Sequence, residues 1–399
     1  MIDPRVFEIE PVSELKLMQA GGLMKVVIPA EILEAILKAP VKASEENKTL
    51  QILTHVYLSA KDGKLVVVGA NPEYSVSSEI KTNVVSEGET LVLGEKLLKI
   101  VKAFPKTEIL MELNENLLDV YTEDGNIKFS LQTLSVEEYP RQIIESVSVD
   151  PFCSLAQSEL KKGLKKVSKF SSDDDTINPV FSGILFDFRS DNVLRLVATD
   201  TKRMGVFRIN YSGDAVNERF VIPSDAADVL EDVLGGEGPV DIGVVKDEDG
   251  NVKNVLFVLE GVKISTSVIA GNFPDYERII PQNLLNVATL NVRTLSDALK
   301  RISLIVDKET NRVSFEFDET VLRIKAVNNL LGSGSEVIPC KFSGAPDYIH
   351  FNYEFVDEFL DVVDGEVFYW GFNEVEGPSK FWSSEDENFL YVAMPLRRG

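Results

Sequence analysis

The sequence is poor in histidine, cysteine and tryptophan, the residues from which many metal sites and active sites are built. Its 399 residues include two of each. His55 and His350 have no cysteine or carboxylate at the spacing of metal ligands, so we expect both to be structural. Cys153 and Cys340 lie far apart and are too few for a disulfide framework, which favours a reducing compartment.

Long apolar runs and catalytic motifs are also missing. No stretch has the apolar length of a membrane span, and the first residues include acids instead of a basic region followed by an apolar run. Glycine-rich phosphate loops, nucleophile elbows and zinc-protease motifs do not occur. The acidic run at 173–175 is more typical of a solvated loop than of a metal site. We therefore expect a cytoplasmic protein that is not an enzyme and needs no metal or cofactor.

What the sequence does contain is a threefold internal repeat. The strand-like run LVVVGAN at 65–71 recurs as LRLVATD at 194–200 and as LRIKAVN at 322–328, at offsets of 129 and 128 residues. A second marker, an apolar pair followed by a helix start, begins at Val92, Val221 and His350, at offsets of 129 and 129 residues. This period is too long for a solenoid and suits three domains of ordinary size.

Each repeat combines helical and strand patterns in the same way. In the first repeat, residues 29–42 are amphipathic, and Pro29 suits the first turn of a helix. Strands of alternating polarity follow, and a second helix is predicted from Gly94 to Phe104, before a proline. This pattern, mostly strands with two helices in each repeat, predicts an α+β fold whose helices cover one face of a sheet. The sequence divides into an N-terminal extension at 1–23 and domains at 24–147, 148–284 and 285–399.

Positive charge is concentrated on some of these helices, although the chain is acidic. There are 41 lysines and arginines against 64 aspartates and glutamates, a net charge of −23 that by itself argues against a nucleic-acid partner. On the helix predicted for 156–170, however, lysines stand opposite an apolar stripe. An ordinary solvated face would explain any one such helix, but three basic helices in an acidic chain favour a surface that contacts nucleic-acid phosphates without reading bases. The predicted DNA-facing residues are Lys96, Lys99, Lys102, Lys162, Lys165, Lys166, Lys169, Lys300 and Arg301.

Four segments resemble a known family. They are FSGILF at 181–186, LVATDTKRM at 196–204, GNFPDYERIIP at 271–281 and YVAMPLR at 391–397. Together with the threefold repeat, they resemble the bacterial DNA polymerase III beta subunits, the sliding clamps, from about Met24 to the C-terminus. The FPDY segment and the MPxR ending, in this order, make the resemblance specific.

The resemblance implies three DNA-clamp domains per chain and a head-to-tail homodimer, which forms a closed ring around duplex DNA. Such a ring would hold DNA topologically and tether the replicative polymerase for processive synthesis. The implied partners are double-stranded DNA, the polymerase III alpha subunit, the clamp loader and repair polymerases. The implied subunit interface includes Phe129, Leu304 and Ile305.

The family also implies a cleft that binds a short hydrophobic motif of partner proteins. Apolar walls would supply affinity, and arginines at the rim would pair peptide carboxylates or carbonyls. The matching residues of this chain are Phe181, Thr199, Thr201, Lys202, Arg203, Met204, Pro274, Arg278, Ile279, Phe355, Val392, Met394, Pro395, Leu396 and Arg397. Thr201 and Lys202 replace the family's usual glycine-histidine and Phe355 replaces a frequent tyrosine, so peptide preference is expected to differ.

Two alternative functions stay open. The helices predicted at 224–234 and 354–363 are acidic, so a uniformly basic lining is not expected. This favours, as the alternative, a clamp-like scaffold that binds proteins without encircling DNA. An enzyme that processes carbohydrates or nucleotides on repeated α+β domains would need a convergent acid/base cluster, and the sequence shows none.

Overall fold

The computed structural model describes residues 24–44, 50–140, 149–174, 176, 178–345 and 347–397. The same order of elements occurs three times: one strand, a helix, five strands, a second helix and three strands. This confirms the threefold repeat. The predicted extension at 1–23 and the predicted boundary at 147 lie outside the described residues. The boundary after 284 falls just before the third repeat's first strand and stays a prediction.

Each repeat contributes two α-helices to the described part of the chain. They are α1 (Ala30–Ser44), α2 (Gly94–Ala103), α3 (Gln157–Val167), α4 (Ser224–Val233), α5 (Val292–Ile302) and α6 (Tyr353–Val362). Short 3₁₀ turns lie at Gln51–Thr54, Val136–Glu138, Ser168–Phe170, Pro179–Ser182 and Tyr276–Ile279. None of the helices in the described ranges is long and apolar enough to cross a membrane.

The helices begin and end where local chemistry dictates. The Asn291 side chain caps α5 by accepting a hydrogen bond of 2.9 Å from the Thr294 amide. The Asn352 side chain caps α6 in the same way through the Glu354 amide, at 3.0 Å. In the second repeat the predicted helix is shorter than expected, because α3 tightens into a 3₁₀ turn after Val167.

The strands follow the three repeats. The first repeat contains β1 (Lys25–Pro29), β2 (His55–Lys61), β3 (Lys64–Ala70), β4 (Tyr74–Lys81), β5 (Asn83–Ser86), β6 (Gly88–Leu93), β7 (Glu108–Asn114), β8 (Leu117–Thr122) and β9 (Lys128–Leu134). The second contains β10 (Cys153–Ala156), β11 (Gly183–Phe188), β12 (Val193–Thr199), β13 (Arg203–Asn210), β14 (Ser212–Gly213), β15 (Glu218–Pro223), β16 (Pro239–Lys246), β17 (Val252–Leu259) and β18 (Val262–Ser267). The third contains β19 (Asn286–Asn291), β20 (Arg312–Phe317), β21 (Val321–Asn328), β22 (Gly332–Pro339), β23 (Lys341–Ser343), β24 (Asp347–Asn352), β25 (Val367–Phe372), β26 (Ser379–Trp382) and β27 (Phe389–Ala393).

The chain forms two compact units, and the division runs through the second repeat. The first unit contains the described residues up to Ser158 together with 211–214 and 225–269. Its strands form one sheet in the order β14-β10-β16-β17-β18-β4-β3-β2-β6-β9-β8-β7-β1-β5. The pairing of β18 with β4 joins the second repeat to the first. Helices α1 and α2 bury Leu33, Leu37, Leu97 and Val101 in the core of this unit.

The second unit contains the described residues of 159–210 and 215–224 and those from Ala270 onward. It has a sheet in the order β15-β11-β12-β13-β27-β26-β25-β19-β23 and a smaller sheet in the order β22-β21-β20-β24. The pairing of β13 with β27 joins the second repeat to the third. An aromatic core holds this unit together: the buried Trp370 ring lies 4.7 Å from the Phe381 ring and 5.0 Å from the Phe315 ring.

Candidate functional site

The paired strands β13 and β27 place two sets of side chains on opposite faces of the nine-stranded sheet. One face is covered by helices: Lys162 of α3 lies 5.9 Å from the Phe207 ring, and Phe359 of α6 stacks on Tyr391 at 5.7 Å. Side chains alternate along a strand, so Met204 and Val392 point to the opposite face. These two residues are direct cross-strand partners.

A cavity of about 130 Å³ lies at this pair. Its lining is mostly apolar and consists of Phe181, Thr199, Thr201, Lys202, Arg203, Met204, Phe273, Pro274, Tyr276, Ile279, Val392 and Met394. Ten of these belong to the predicted cleft, which the structure therefore brings together at one place. Phe273 and Tyr276 are additions, although both belong with Pro274 to the FPDY segment, which could have revealed them.

The wall of the cavity is fixed by two local structures. Phe181 lies on a 3₁₀ turn that is capped by Asn178, and its ring meets the Phe273 ring edge-on at 5.9 Å. The Tyr276 hydroxyl donates a hydrogen bond of 2.8 Å to the buried carboxylate of Asp187, which anchors the following turn. The aromatic wall is thus held in place before any ligand arrives.

The hairpin between β12 and β13 forms the polar edge of the cavity. The Asp200 side chain accepts hydrogen bonds of 2.9 Å from the amides of Lys202 and Arg203, and the Thr199 hydroxyl donates to the Arg203 carbonyl at 2.6 Å. These bonds hold Thr201 at φ 75°, in the left-handed region that a β-branched residue avoids. The glycine usual in the family would adopt this conformation without strain.

Arg203 does not offer a free charge to a ligand, which corrects the role predicted for it. Its side chain is only 14% exposed, and its Nε lies 3.0 Å from the Asp200 carboxylate. A second ion pair joins it to Glu358, and the Phe355 ring of α6 covers its guanidinium at 4.8 Å. Phe355 therefore packs on Arg203 and does not line the cavity.

The remaining predicted cleft residues also lie outside the cavity lining. Arg278 is 84% exposed and pairs with Asp275 at 2.8 Å, as expected of a rim residue. The Met394 amide donates to the Lys202 carbonyl at 2.8 Å, and the chain then turns towards β24. There the Leu396 amide donates to the His350 carbonyl at 2.7 Å. Pro395, Leu396 and Arg397 are not among the lining residues of the cavity, and an antiparallel bridge joins Leu396 to His350.

The basic stripe predicted on α3 is largely neutralised by acids. Lys166 is 4% exposed, forms an ion pair with the buried Asp386 and donates to the Val362 carbonyl at 2.6 Å. Its predicted contact with DNA is wrong, because a buried and paired ammonium cannot reach a phosphate. Lys162 pairs with Asp364 at 2.8 Å, and this hydrogen bond raises the pKa of the lysine. Lys169 lies 3.8 Å from Asp361 on α6.

The other predicted DNA contacts are more accessible. Lys96, Lys102, Lys165 and Lys300 are exposed, and within the described residues none of them has a carboxylate at ion-pair distance. Lys99 pairs with Glu95 one helical turn away. Arg301 pairs with Glu336 at 2.6 Å, and its hydrogen bond lowers the pKa of that carboxyl. The four exposed lysines are thus the better candidates for phosphate contacts.

Histidine and cysteine side chains form no reactive group in the described ranges. Burial lowers the pKa of His55 and raises the pKa of the Cys153 thiol to about 12. The Nδ1 atom of His350 lies 2.7 Å from the Ser314 hydroxyl. Nowhere in the described ranges do three histidine, cysteine or carboxylate side chains meet as metal ligands would.

Each compact unit presents a strand edge near residues of the predicted subunit interface. In the first unit, β9 pairs with β8 along most of its length but with β6 only at Thr133 and Leu134. The exposed Phe129 lies on the free part of this edge. In the second unit, β22 is the end strand of its sheet. Beside it, Leu304 is 80% exposed and Ile305 packs near Gly334.

Comparison with known proteins agrees with this architecture. Models of the N-terminal, central and C-terminal domains of the DNA polymerase III beta subunit match residues 24–143, 154–275 and 277–397. The chain is 26% identical to the beta sliding clamp of Treponema pallidum, over 91% of this chain and 98% of the relative. It is 25% identical to the beta sliding clamp of Vibrio cholerae, over 88% of this chain and 93% of the relative.

Solved structures have the same fold. A sliding clamp of Pseudomonas aeruginosa, bound to griselimycin, superposes with a TM-score of 0.87 at 22% identity, over 95% of this chain and 100% of that one. The DNA polymerase III beta subunit of Thermotoga maritima superposes with a TM-score of 0.86 at 22% identity, over 94% of this chain and 100% of that one. The three domain matches together cover most of the sequence, and the chain belongs to the DNA polymerase III beta subunit family.

Proposed function

We propose that this protein is a DNA sliding clamp, which encircles duplex DNA and tethers the replicative polymerase during processive synthesis. The observation that carries the proposal is the succession of three clamp domains in one chain that matches beta sliding clamps over nearly their whole length. The role is non-catalytic: the clamp raises the number of nucleotides that a polymerase adds before it dissociates.

The ring would be a head-to-tail dimer. Among the described strands, none pairs with the edge of β9 around Phe129 or with the outer edge of β22, so both edges can offer backbone groups to an antiparallel partner strand. Exposed apolar side chains accompany both edges, with Phe129 on one and Leu304 on the other. Different patches on the two partners make a heterologous contact, and a closed ring results when two such contacts form between two chains.

Contact with DNA would be electrostatic and independent of sequence. The exposed Lys96, Lys102, Lys165 and Lys300 can meet phosphates, whereas the acidic residues of α4 and α6 would keep the attraction weak. Weak phosphate contacts suit a protein that moves along DNA, because a closed ring retains its substrate without tight binding. The net charge of −23 is compatible with this arrangement, since retention would be topological.

The apolar cavity beside Met204 and Val392 would receive the clamp-binding motif of the polymerase, the clamp loader and repair polymerases. A volume of about 130 Å³ accommodates one large apolar side chain. Met394 and Ile279 are both partly exposed at its mouth and can close on further apolar residues. Such a short peptide buries little area and must be ordered on binding, so micromolar affinity is expected.

Primer extension tests the proposal. Primed circular DNA is copied by the replicative polymerase of the same organism, with its clamp loader and ATP, in the presence and absence of this protein. Excess unlabelled primed template traps any polymerase that dissociates. We expect products at least tenfold longer with the protein. Unchanged product length together with normal binding of the polymerase would favour the alternative, a scaffold that binds proteins without encircling DNA.

A further inference from the structure

A second cavity, of about 330 Å³, lies in the nine-stranded sheet next to the peptide cleft. We name it the basic-aromatic pocket after six of its lining residues, Arg208, Lys380, Trp382, Ser384, Glu387 and Leu390. The family resemblance assigned no residue of this pocket to DNA, to the subunit interface or to the cleft.

The pocket and the cleft lie on the same face of the sheet, and strand β27 contributes residues to both. Phe381 of β26 and Phe389 of β27 both contact Phe359 on the helical face, so their neighbours Lys380, Trp382 and Leu390 point to the other face. Lys380 is the direct cross-strand partner of Val392, which lines the cleft. The Cα atoms of such partners are about 5 Å apart. A peptide in the cleft therefore reaches the pocket within a few residues.

The two cations of the pocket form no ion pair within the described chain. Neither Arg208 nor Lys380 has a carboxylate at ion-pair distance among the described residues, although acids outnumber bases by 64 to 41 in the whole sequence. Glu387 contributes one carboxylate to the lining without pairing to either cation. Burial, and then the charge of Arg208, lowers the pKa of Lys380, so an anion bound between them would relieve an unfavourable arrangement.

The aromatic side chains make the pocket a specific site and not only a charged patch. Trp382 stacks on Tyr369 with ring centroids 5.3 Å apart, and the Lys380 ammonium lies 5.1 Å from the Trp382 ring. The indole thus restricts where Lys380 can move and lends an apolar floor to the pocket. A ligand that combines one negative charge with an aliphatic stem would meet both the cations and this apolar floor.

We propose that the basic-aromatic pocket binds the side-chain carboxylate of an aspartate or glutamate in the peptide that docks in the cleft. This rests on the proposed function, since it requires the cleft to bind peptides. An extended chain advances about 3.3 Å per residue, which places the acid about two to four residues from the apolar anchor. One net positive charge, from two cations and Glu387, suits a single carboxylate better than a nucleic-acid backbone with a charge on every phosphate.

The test compares twin peptides that differ only in charge. Fluorescein-labelled peptides carry the clamp-binding motif with a glutamate two, three or four residues to either side of the apolar anchor. Each has a twin with glutamine at that position. Their affinity for the full chain is measured by fluorescence anisotropy at low salt, for the parent, for the double variant Arg208→Gln/Lys380→Gln and for the control Lys308→Gln. Lys308 is an exposed lysine of the same unit, away from both cavities.

At one or two positions the parent should bind the glutamate peptide about two- to fivefold more tightly than its twin, the gain expected of an ion pair with the exposed Arg208 and the half-buried Lys380. The double variant should lose this preference, and Lys308→Gln should keep it. Equal affinity of all twins for the parent would overturn the proposal. The proposal would also be overturned if the double variant lost binding of a single-stranded oligonucleotide but kept its preference for the glutamate peptide. Met394→Ala separates the test of the cleft from the test of the pocket. If this variant binds both twin peptides more weakly, the cleft is supported as the peptide site, whatever the result for the pocket.

Discussion

Replacing Lys166 by methionine should destabilise the protein and leave its contact with DNA unchanged. Lys166 and Asp386 are 4% and 3% exposed, so the change leaves a carboxylate in the protein interior without its main partner. Removing one member of a buried ion pair costs about 3–5 kcal/mol. Here the Lys162 ammonium, 3.7 Å from the other Asp386 oxygen, remains as a second partner. We therefore expect a smaller loss than this range, about 2–3 kcal/mol.

Thermal unfolding measures this cost. For a unit of this size, a loss of about 2–3 kcal/mol lowers the midpoint by roughly 5–10 °C. Lys165→Met is the matched control, because Lys165 is exposed and has no carboxylate at ion-pair distance within the described chain, so its effect should stay within about 0.5 kcal/mol. Adding Asp386→Leu to Lys166→Met should recover much of the loss, since the orphaned charge disappears.

DNA binding provides the second readout. At low salt, Lys166→Met should bind duplex DNA like the parent, whereas glutamine at Lys96, Lys102, Lys165 and Lys300 together should flatten the salt dependence. Each lost phosphate contact lowers the log–log slope by about 0.9. If Lys166→Met unfolds like Lys165→Met and binds DNA less well than the parent, then Lys166 faces DNA and our account of the ion pair is refuted.

Three further predictions follow from the cleft and the strand edges. Thr201→Gly should raise the free energy of unfolding by about 0.5–1 kcal/mol, because relief of the left-handed strain at φ 75° exceeds the entropy cost of glycine, whereas the control Lys202→Gly should lower it. Chemical denaturation measures both, and a Thr201→Gly variant less stable than the parent would show that Thr201 is unstrained. Met394→Ala should weaken binding of the clamp-binding peptide, measured by anisotropy, about five- to thirtyfold, because about 1–2 kcal/mol of apolar contact is lost. Leu396→Ala, which lies outside the cavity lining, should weaken binding less, and equal losses would extend the cleft to Leu396. Leu304→Ala/Ile305→Ala should sediment as a monomer, and an intact dimer would rule out this edge as the interface.

Much of the fold could be predicted from the sequence because the same pattern of helices and strands recurs in three repeats. The repeat markers, the amphipathic helices and the alternating strands each occur in every domain, so local patterns agree with one another. The cleft could be predicted because its residues fall in four short segments that resemble a known family, and ten of the fifteen line one cavity.

The charge pattern was less informative, for a physical reason. Helical spacing shows that Lys162, Lys166 and Lys169 share a face, but not that this face meets the acids of another element. The partners Asp364 and Asp386 lie about 200 residues away in sequence, so only the fold reveals them. Arg203 is a similar case, because its partner Glu358 and its cover Phe355 come from α6 of the next repeat.

Retention on circular DNA tests the central claim, encirclement, most directly. The protein is loaded by the clamp loader on nicked circular DNA, separated from free protein by gel filtration, and the circle is then cut once with a restriction enzyme. A ring should stay with the intact circle at salt concentrations that abolish phosphate contacts, and it should leave within minutes of cutting. Protein that stays on the linear DNA, or that salt removes from the intact circle, would contradict encirclement.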